Sequence, residues 1–260
     1  MADPASFTAA LAQAVSQPFF VGAVVIALVS GLVRGFAGFG SALIYIPLIS
    51  AIYGPRIAAP TLLLIDTLCA LPFAIQAAPH CNVREVTAVS IAGALALPLG
   101  VMALLWVDAL TLRWIISFLV LVALIALVAG WRYRGKPNIG VSLGAGALAG
   151  LGAGAVQIGA PPLLVFWLGG DNKAATVRAN IMVYFIVQGT LSMALYAYNG
   201  LFDLRTLSLA LLLGLPFAAA LAAGAFRFHG SSDLLYRRVA YIVIGLAGIA
   251  SMPMFDKLLR

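Results

Sequence analysis

Charged residues are scarce in this chain. Aspartate, glutamate, lysine and arginine together make up 9% of the 260 residues, whereas 63% are hydrophobic. Because a soluble domain carries roughly 25% charged residues, this composition excludes an ordinary water-soluble fold. Apolar runs such as 86–107 and 114–131 approach or exceed the roughly 18–20 residues that a helix needs to cross a bilayer core. The sequence therefore predicts an all-α, polytopic membrane protein embedded in a lipid bilayer.

Side chains that bind metals or act as bases are also few. The two cysteines, Cys69 and Cys81, follow no metal-binding or redox spacing, and His80 and His229 are expected to be solvated loop residues. No metal or other cofactor is therefore expected. A serine nucleophile such as Ser41 would need a nearby base, so an intramembrane enzyme is the less favoured alternative. The missing Gly-x4-Gly-Lys-Ser/Thr motif excludes only a self-contained ATP-driven pump.

The net charge of +7 does not indicate a nucleic-acid partner, because the basic residues stand singly or in small groups at segment ends. This placement is typical of the positive-inside rule, in which cytoplasmic loops of membrane proteins carry the excess of lysine and arginine. With the basic linker in the cytoplasm, nine basic residues fall on the cytoplasmic side: Arg84, Arg132, Arg134, Lys136, Lys173, Arg178, Arg227, Arg237 and Arg238. Five fall outside: Arg56, Arg113, Arg205, Lys257 and Arg260. The bias predicts that both termini lie outside.

Hydropathy divides the chain into two halves of five apolar segments each. The first half, 19–131, has segments near 19–34, 41–53, 57–78, 87–106 and 112–131. The second half, 139–255, has segments near 139–152, 160–169, 174–198, 204–226 and 234–255. The basic stretch 132–138 is the predicted cytoplasmic linker, and 256–260 is a C-terminal tail. Residues 1–18 contain no lysine or arginine, which predicts a tail or surface helix and not a cleaved signal peptide.

The two halves also share residues at constant spacing. Gly31, Leu32, Gly35 and Gly40 reappear 119 residues later as Gly150, Leu151, Gly154 and Gly159. The run 95–98 (LALP) is matched by 213–216 (LGLP), 118 residues later. An odd number of segments per half turns the second half upside down relative to the first. The sequence therefore predicts two inverted repeats, each beginning with a broken-helix hairpin.

The predicted breaks lie at the glycine-rich runs 35–40 (GFAGFG) and 150–159 (GLGAGAVQIG). Two full crossings need about 20 residues each, but the first hairpin has only the residues 19–53. Each turn is therefore expected inside the membrane, so that hairpins entering from opposite faces meet near the midplane. Irregular backbone is tolerated there only beside protein or a water-filled cavity.

A helix that starts at such a turn directs its free N–H groups and positive dipole end into the cavity. Ser41 is the predicted cap of the first half-helix, and Pro161 and Pro162 suit the first turn of the second. An arginine side chain can hold an anion in a forked geometry. Together with Arg34, the two helix N-termini therefore predict a site for a small anionic substrate. Two alternatives stay open: the glycines only permit close helix packing, and Arg34 extends to an interface.

The run 34–43 (RGFAGFGSAL), followed by Pro47, resembles the first-half signature of the sulfite exporter TauE/SafE family of membrane transporters. The second-half runs 159–164 (GAPPLL) and 178–180 (RAN) resemble one branch of that family. The resemblance extends from about residue 20 to 250. It implies a bacterial inner-membrane protein with two repeated halves that moves sulfite, sulfoacetate or other sulfonates and small organic anions. It also implies that Gly35, Gly38, Gly40 and Gly159 belong to the family motif.

This chain departs from the commoner glycine pattern at Phe36 and Phe39 in the first turn and at Gln157 in the second, so these side chains are expected to shape the pocket. Asp66 lies at the centre of an apolar segment, where a carboxylate is costly unless paired or functional. It is either a proton-coupling site, a counter-ion of Arg34, or a structural partner of Arg178 or of a backbone group. Arg178 and Asn180 are candidates for substrate contact, coupling or gating, or else for a cytoplasmic-end anchor.

The sequence thus favours a secondary transporter that exchanges a small anion by alternating access, with one half rocking against the other. An anion channel that uses the same site is the nearest alternative. A non-transporting scaffold is disfavoured because it would not need two matching polar breaks. The sequence leaves a homo-oligomer open.

Overall fold

The structure, a computed structural model, describes residues 4–131, 133, 139–168, 174–227 and 233–255. These residues form eleven α-helices and two 3-10 turns and contain no β-strand. The helices are α1 Pro4–Val15, α2 Phe20–Ala37, α3 Ser41–Tyr53, α4 Pro55–Ala77, α5 Val83–Trp106, α6 Ala109–Val128, α7 Ile139–Val156, α8 Ala160–Trp167, α9 Ala174–Tyr198, α10 Leu204–Arg227 and α11 Asp233–Ala250. Single 3-10 turns follow at Ala78–His80 and Pro253–Phe255.

Several predicted features lie outside the described residues. They include the linker 132–138 apart from Tyr133, the C-terminal tail 256–260 and His229. Six of the basic residues used for the orientation belong to the same group: Arg132, Arg134, Lys136, Lys173, Lys257 and Arg260.

Six helices in the described part of the chain are long and apolar enough to cross a membrane: α4, α5, α6, α7, α9 and α10. Helices α1 and α2 are bent by 90° relative to each other, and this pair gives a seventh span if it is counted as one. Helix α3, with 13 residues, and α8, with 8 residues, are too short to cross a bilayer. The prediction of an all-α, multi-pass membrane protein is confirmed.

Polar side chains just before two of the long helices, α5 and α6, accept hydrogen bonds from the first turns of these helices. The side chain of Asn82 accepts a hydrogen bond from the Glu85 N–H, and Asp108 accepts one from the Thr111 N–H at 2.9 Å. These contacts satisfy N–H groups that the first helical turn leaves without a partner. Hydrogen bonding from Thr111 also lowers the pKa of Asp108, because it stabilises the carboxylate form.

The helix breaks are shorter than the sequence predicted. Helix α2 continues through Gly35 and Phe36, and α7 continues through the glycines at 150, 152 and 154. The breaks are confined to residues 38–40 and 157–159, which are 119 residues apart. The prediction that the whole of 35–40 and 150–159 interrupts the helices is therefore wrong. These helical glycines are explained by packing.

Each hairpin packs against a helix of the other half: α2 lies along α10, and α7 lies along α5. The backbones approach so closely that a methyl group on any of four helical glycines would overlap a carbonyl oxygen of the facing helix. The pairs are Gly31 with Phe217, Gly35 with Leu221, Gly150 with Gly93, and Gly154 with Leu97. Small residues permit such contacts between membrane helices. The packing alternative was therefore correct for these four positions.

The contacts also correct the register of the predicted repeat in its fourth segment. Gly100 of α5 faces the Leu151 carbonyl, and Gly224 of α10 faces the Leu32 carbonyl. Since Leu32 and Leu151 are 119 residues apart, Gly100 and Gly224 occupy matching positions at a spacing of 124. If the halves are repeats, these contacts therefore favour a spacing of 124 in this segment over the spacing of 118 given by 95–98 and 213–216. The alignment of the two segments thus follows Gly100 and Gly224, which admit a neighbouring backbone, and does not follow Pro98 and Pro216.

We expect Gly154→Ala to lower the free energy of unfolding by about 1–3 kcal/mol, because the new methyl group overpacks the α5–α7 contact. Gly144 lies in the same helix with nothing within 4 Å of its missing Cβ, so Gly144→Ala is the matched control. That variant should be unchanged, or more stable by up to about 1 kcal/mol through helix propensity. Unfolding in mixed detergent micelles measures both. Equal stabilities of the two variants would contradict the packing assignment.

Candidate functional site

The first break requires glycine at two positions. Gly38 has φ +77° and Gly40 has φ +96°, a left-handed conformation that is costly for residues with a side chain. The Gly38 N–H donates to the Arg34 carbonyl at 2.8 Å and so closes the last turn of α2. Gly40 then precedes the first residue of α3. The chain reverses direction within three residues.

The second break also contains a residue in the left-handed conformation, but this residue is not a glycine. Gln157, which corresponds to Gly38 at the spacing of 119, has φ +58° although it is not a glycine. Its Nε2 donates to the Tyr196 hydroxyl at 3.3 Å, and Tyr196 in turn donates to the Gly154 carbonyl at 2.8 Å. Gly159 precedes α8, whose first turn contains Pro161 as predicted.

Arg34 forms an ion pair with Asp66 across the first break. The distance between Arg34 Nε and Asp66 Oδ1 is 3.0 Å, and the side chains are 6% and 21% exposed. Arg34 Nη1 also donates to the Gly38 carbonyl, and its guanidinium carbon lies 5.8 Å from the centre of the Phe185 ring. The structure thus pairs Asp66 with Arg34, as one of the alternatives for Asp66 predicted.

Ser41 has a different role from the predicted one. Gly40 occupies the N-cap position of α3, with no side-chain cap, so the prediction that Ser41 caps this half-helix is wrong. Ser41 is instead the first helical residue, and its hydroxyl donates to Asp66 Oδ1 at 3.2 Å. A carboxylate is a stronger acceptor than a neutral group, and it lies on the side of the helix that Ser41 faces.

A cavity of about 40 Å³ lies between the two breaks. This is room for a few water molecules, since each needs about 10–15 Å³. Seven of the predicted site residues line it: Arg34, Phe39, Gly40, Ser41, Asp66, Gln157 and Pro161. The first residues of α3 and α8 therefore face one space, together with the midpoint of α4.

The other predicted residues lie elsewhere. Gly35, Gly38 and Arg178 line a second cavity on another side of Arg34. Neither cavity is lined by Phe36 or Gly159, or by Asn180. Asn180 is fully buried, and its Oδ1 accepts from the Asn82 N–H at 2.8 Å. The structure therefore brings Asn180 to the start of α5, in an anchoring position.

Among the lining residues of the first cavity that the sequence analysis did not identify, three have polar or aromatic side chains: Thr67, Phe185 and Gln188. Gln188 is 1% exposed; its Nε2 donates to the Ser90 carbonyl at 2.9 Å. Its Oε1 has no hydrogen-bond partner within the described part of the chain. A polar residue within an apolar segment is the same signal that identified Asp66, and it would have identified Gln188. Phe185 carries no such signal.

The family profile described as sulfite exporter TauE/SafE matches residues 23–251. The chain belongs to the TauE/SafE family. No curated protein and no solved structure matches it significantly. TauE/SafE proteins are membrane transporters, and both helix breaks and the Arg34–Asp66 pair lie within the matched residues. The chain is therefore a multi-pass transporter-family protein.

We expect Asp66→Asn to lower the free energy of unfolding by about 3 kcal/mol, because removal of one partner leaves a buried charge without compensation. Arg34→Gln should be destabilising for the same reason. In the double variant the two losses should not add, and a coupling energy of about 2 kcal/mol is expected. Ser41→Ala, which removes one hydrogen bond to Asp66, should cost only about 1 kcal/mol. Additive losses in the double-mutant cycle would contradict the ion pair.

Proposed function

We propose that this TauE/SafE protein is a secondary transporter of a small sulfur-containing or organic anion of the sulfite, sulfonate or sulfoacetate class. The proposed binding site is the cavity between the two helix breaks, and the proposed location is the bacterial inner membrane. One observation carries the proposal. A buried arginine lies beside the first turns of two half-helices, in a cavity that both helix breaks line.

The electrostatics of this cavity favour an anion. Arg34 contributes a full positive charge, and α3 contributes first-turn N–H groups and the positive end of its dipole. Helix α8 contributes its dipole and the Ala160 N–H, because Pro161 and Pro162 carry no N–H. Arg34 uses Nε for Asp66 and Nη1 for the Gly38 carbonyl. Its Nη2 has no hydrogen-bond partner among the described residues. The anion would bind to this nitrogen and to the amides at the start of α3. The Ser41 hydroxyl would donate to it only after leaving Asp66.

Asp66 gives the site a means of release. A substrate anion near Arg34 competes with the carboxylate for the same guanidinium, and the two negative charges repel each other across the cavity. Binding is therefore opposed by an interaction that reforms when the anion leaves. We assign Asp66 a coupling role on this basis. Phe39, Gln157 and Pro161, which line the same cavity, would set its size and polarity.

The proposed architecture has two inverted halves, 19–131 and 139–255, joined by the cytoplasmic linker 132–138, with both termini outside. The spacing of 119 between the breaks supports the repeat. The packing also supports the repeat, because the first helix of each half packs against a helix of the other half: α2 against α10, and α7 against α5. The glycine contacts favour moving units that cross the halves, α2 with α10 and α7 with α5. Alternating access would then shift these units against each other around α4 and α9.

We expect Arg34→Gln to reduce uptake of radiolabelled sulfite into proteoliposomes by about tenfold or more, since one charge-assisted hydrogen bond is worth about 1.5–3 kcal/mol. Arg205 is the matched control. It lines neither cavity, its guanidinium donates to the Gln17 side chain at 3.1 Å, and Arg205→Gln should leave uptake unchanged.

Counterflow, with unlabelled anion preloaded on the inside, separates the two mechanisms. A carrier accumulates label transiently against its gradient, whereas a channel does not. Thermal stabilisation by sulfite, sulfonates, carboxylates and sulfate would rank the substrates. If Arg34→Gln and Arg205→Gln transported and were stabilised equally well, Arg34 would not belong to the site and the proposal would fail.

A further inference from the structure

The second cavity has a volume of about 20 Å³ and shares Arg34 with the first. Its wall also contains Phe73 and Ala74 near the end of α4, Ala225 near the end of α10, and Arg178 in the first turns of α9. The ends of α4 and α10 and the start of α9 therefore surround it. Arg34 lies between this space and the cavity at the two breaks.

The charges of the two cavities differ. The second cavity is lined by two guanidinium groups, those of Arg34 and Arg178, and no carboxylate is among its lining residues. Asp66 lines the first cavity only. Both guanidinium groups therefore present positive charge to the same space, which favours an anion there. Arg178 is exposed whereas Arg34 is buried, so the positive charge extends from the surface to the inner site.

Gly38 allows Arg178 to reach this position. A Cβ atom at Gly38 would lie 3.1 Å from Arg178 Nε and 3.6 Å from Arg178 Cγ. The guanidinium arm of Arg178 therefore lies directly against the first helix break, next to Arg34. A side chain at position 38 would force the Arg178 side chain to shift by a few tenths of an ångström, in addition to the strain of a φ of +77°.

We propose that the space between Arg34 and Arg178, which must widen from about 20 Å³ to do so, is a second anion subsite that holds a small sulfonate- or sulfite-like anion on its way to or from the Arg34–Asp66 site. The anion class rests on the proposed function. Arg178 is the outer ligand and Arg34 the inner one. An anion moves between the two subsites when the Arg34 side chain turns from one cavity to the other. Gly38 keeps the space between the two arginines open.

Thiol modification tests the subsite without any transport measurement. In a Cys69→Ala/Cys81→Ala background, Ala74→Cys places a thiol in the second cavity and Thr67→Cys places one in the first. The purified protein is treated with an anionic sulfonatoethyl methanethiosulfonate or a cationic trimethylammonioethyl analogue. The ratio of the two rates, divided by the ratio for a free thiol, reports the local enrichment of anions. Ala225→Cys gives the same measurement from α10 if position 74 reacts poorly.

We expect the anionic reagent to be favoured at position 74, and Arg178→Gln to reduce this preference by roughly three- to tenfold, because one nearby positive charge is removed. Thr67→Cys should respond much less to Arg178→Gln. Arg84, another exposed arginine that lines neither cavity, is the matched control, and Arg84→Gln should leave the ratio at position 74 unchanged. Methanesulfonate should protect position 74 in the protein that retains Arg178, and not in Arg178→Gln.

An unchanged ratio in Arg178→Gln would overturn the subsite, and so would an equal reduction in Arg84→Gln, which would indicate only a diffuse surface potential. The two proposals fail separately. If sulfite uptake depends on Arg34 but position 74 shows no anion preference, the transport proposal stands and the second subsite falls. If position 74 shows the preference and methanesulfonate protection while uptake is absent, the subsite stands without the transport function.

Discussion

The ion pair between Arg34 and Asp66 is the interaction on which the rest of this site depends. The two charges lie 3.0 Å apart and are largely buried, in a chain with only 9% charged residues. A buried ion pair adds little stability compared with well-packed apolar side chains, and charges inside membrane segments are costly. Packing alone would therefore be served better by two apolar residues. The pair is understandable if Arg34 must remain available to an exchangeable anion, with Asp66 as the partner that anion displaces.

The glycine contacts explain how so small a protein can hold such a site at depth. At Gly35 and Gly154 the facing backbones leave no room for a methyl group, so α2 is fixed against α10 and α7 against α5. These contacts involve backbone atoms along several turns, and they fix the helix ends that carry the two breaks. Relative movement is easier where contacts are made by flexible side chains, as between Gly38 and Arg178. The backbone contacts at the helical glycines are thus the more rigid part of the site, and the contacts of flexible side chains are the part that moves more easily.

The sequence predicted much of this fold, because charge scarcity and apolar length are local properties of a membrane helix. It located the breaks at Gly38–Gly40 and Gln157–Gly159 but extended them too far. Glycine is used both for left-handed turns and for close helix packing, and only tertiary structure separates the two uses. Arg34 and Asp66 stood out individually as charges in apolar segments, whereas their pairing depends on how α2 and α4 meet. Ser41 was predicted to cap the backbone N–H groups of its own helix, because the carboxylate that accepts its hydrogen bond belongs to α4, which is distant in sequence.

The position of Arg34 between two cavities gives one side chain two consequences. In the proposed pair of subsites it would be a ligand for an anion in either space, because it lines both cavities. It would also stand between them, with Nη1 held by the Gly38 carbonyl and Nε by Asp66. On this proposal, the two contacts that neutralise the arginine in the absence of substrate would also keep the guanidinium in the path of an anion. An arriving anion would weaken the contact with Asp66 by competing for the charge, so occupation of the site would itself favour movement of the guanidinium.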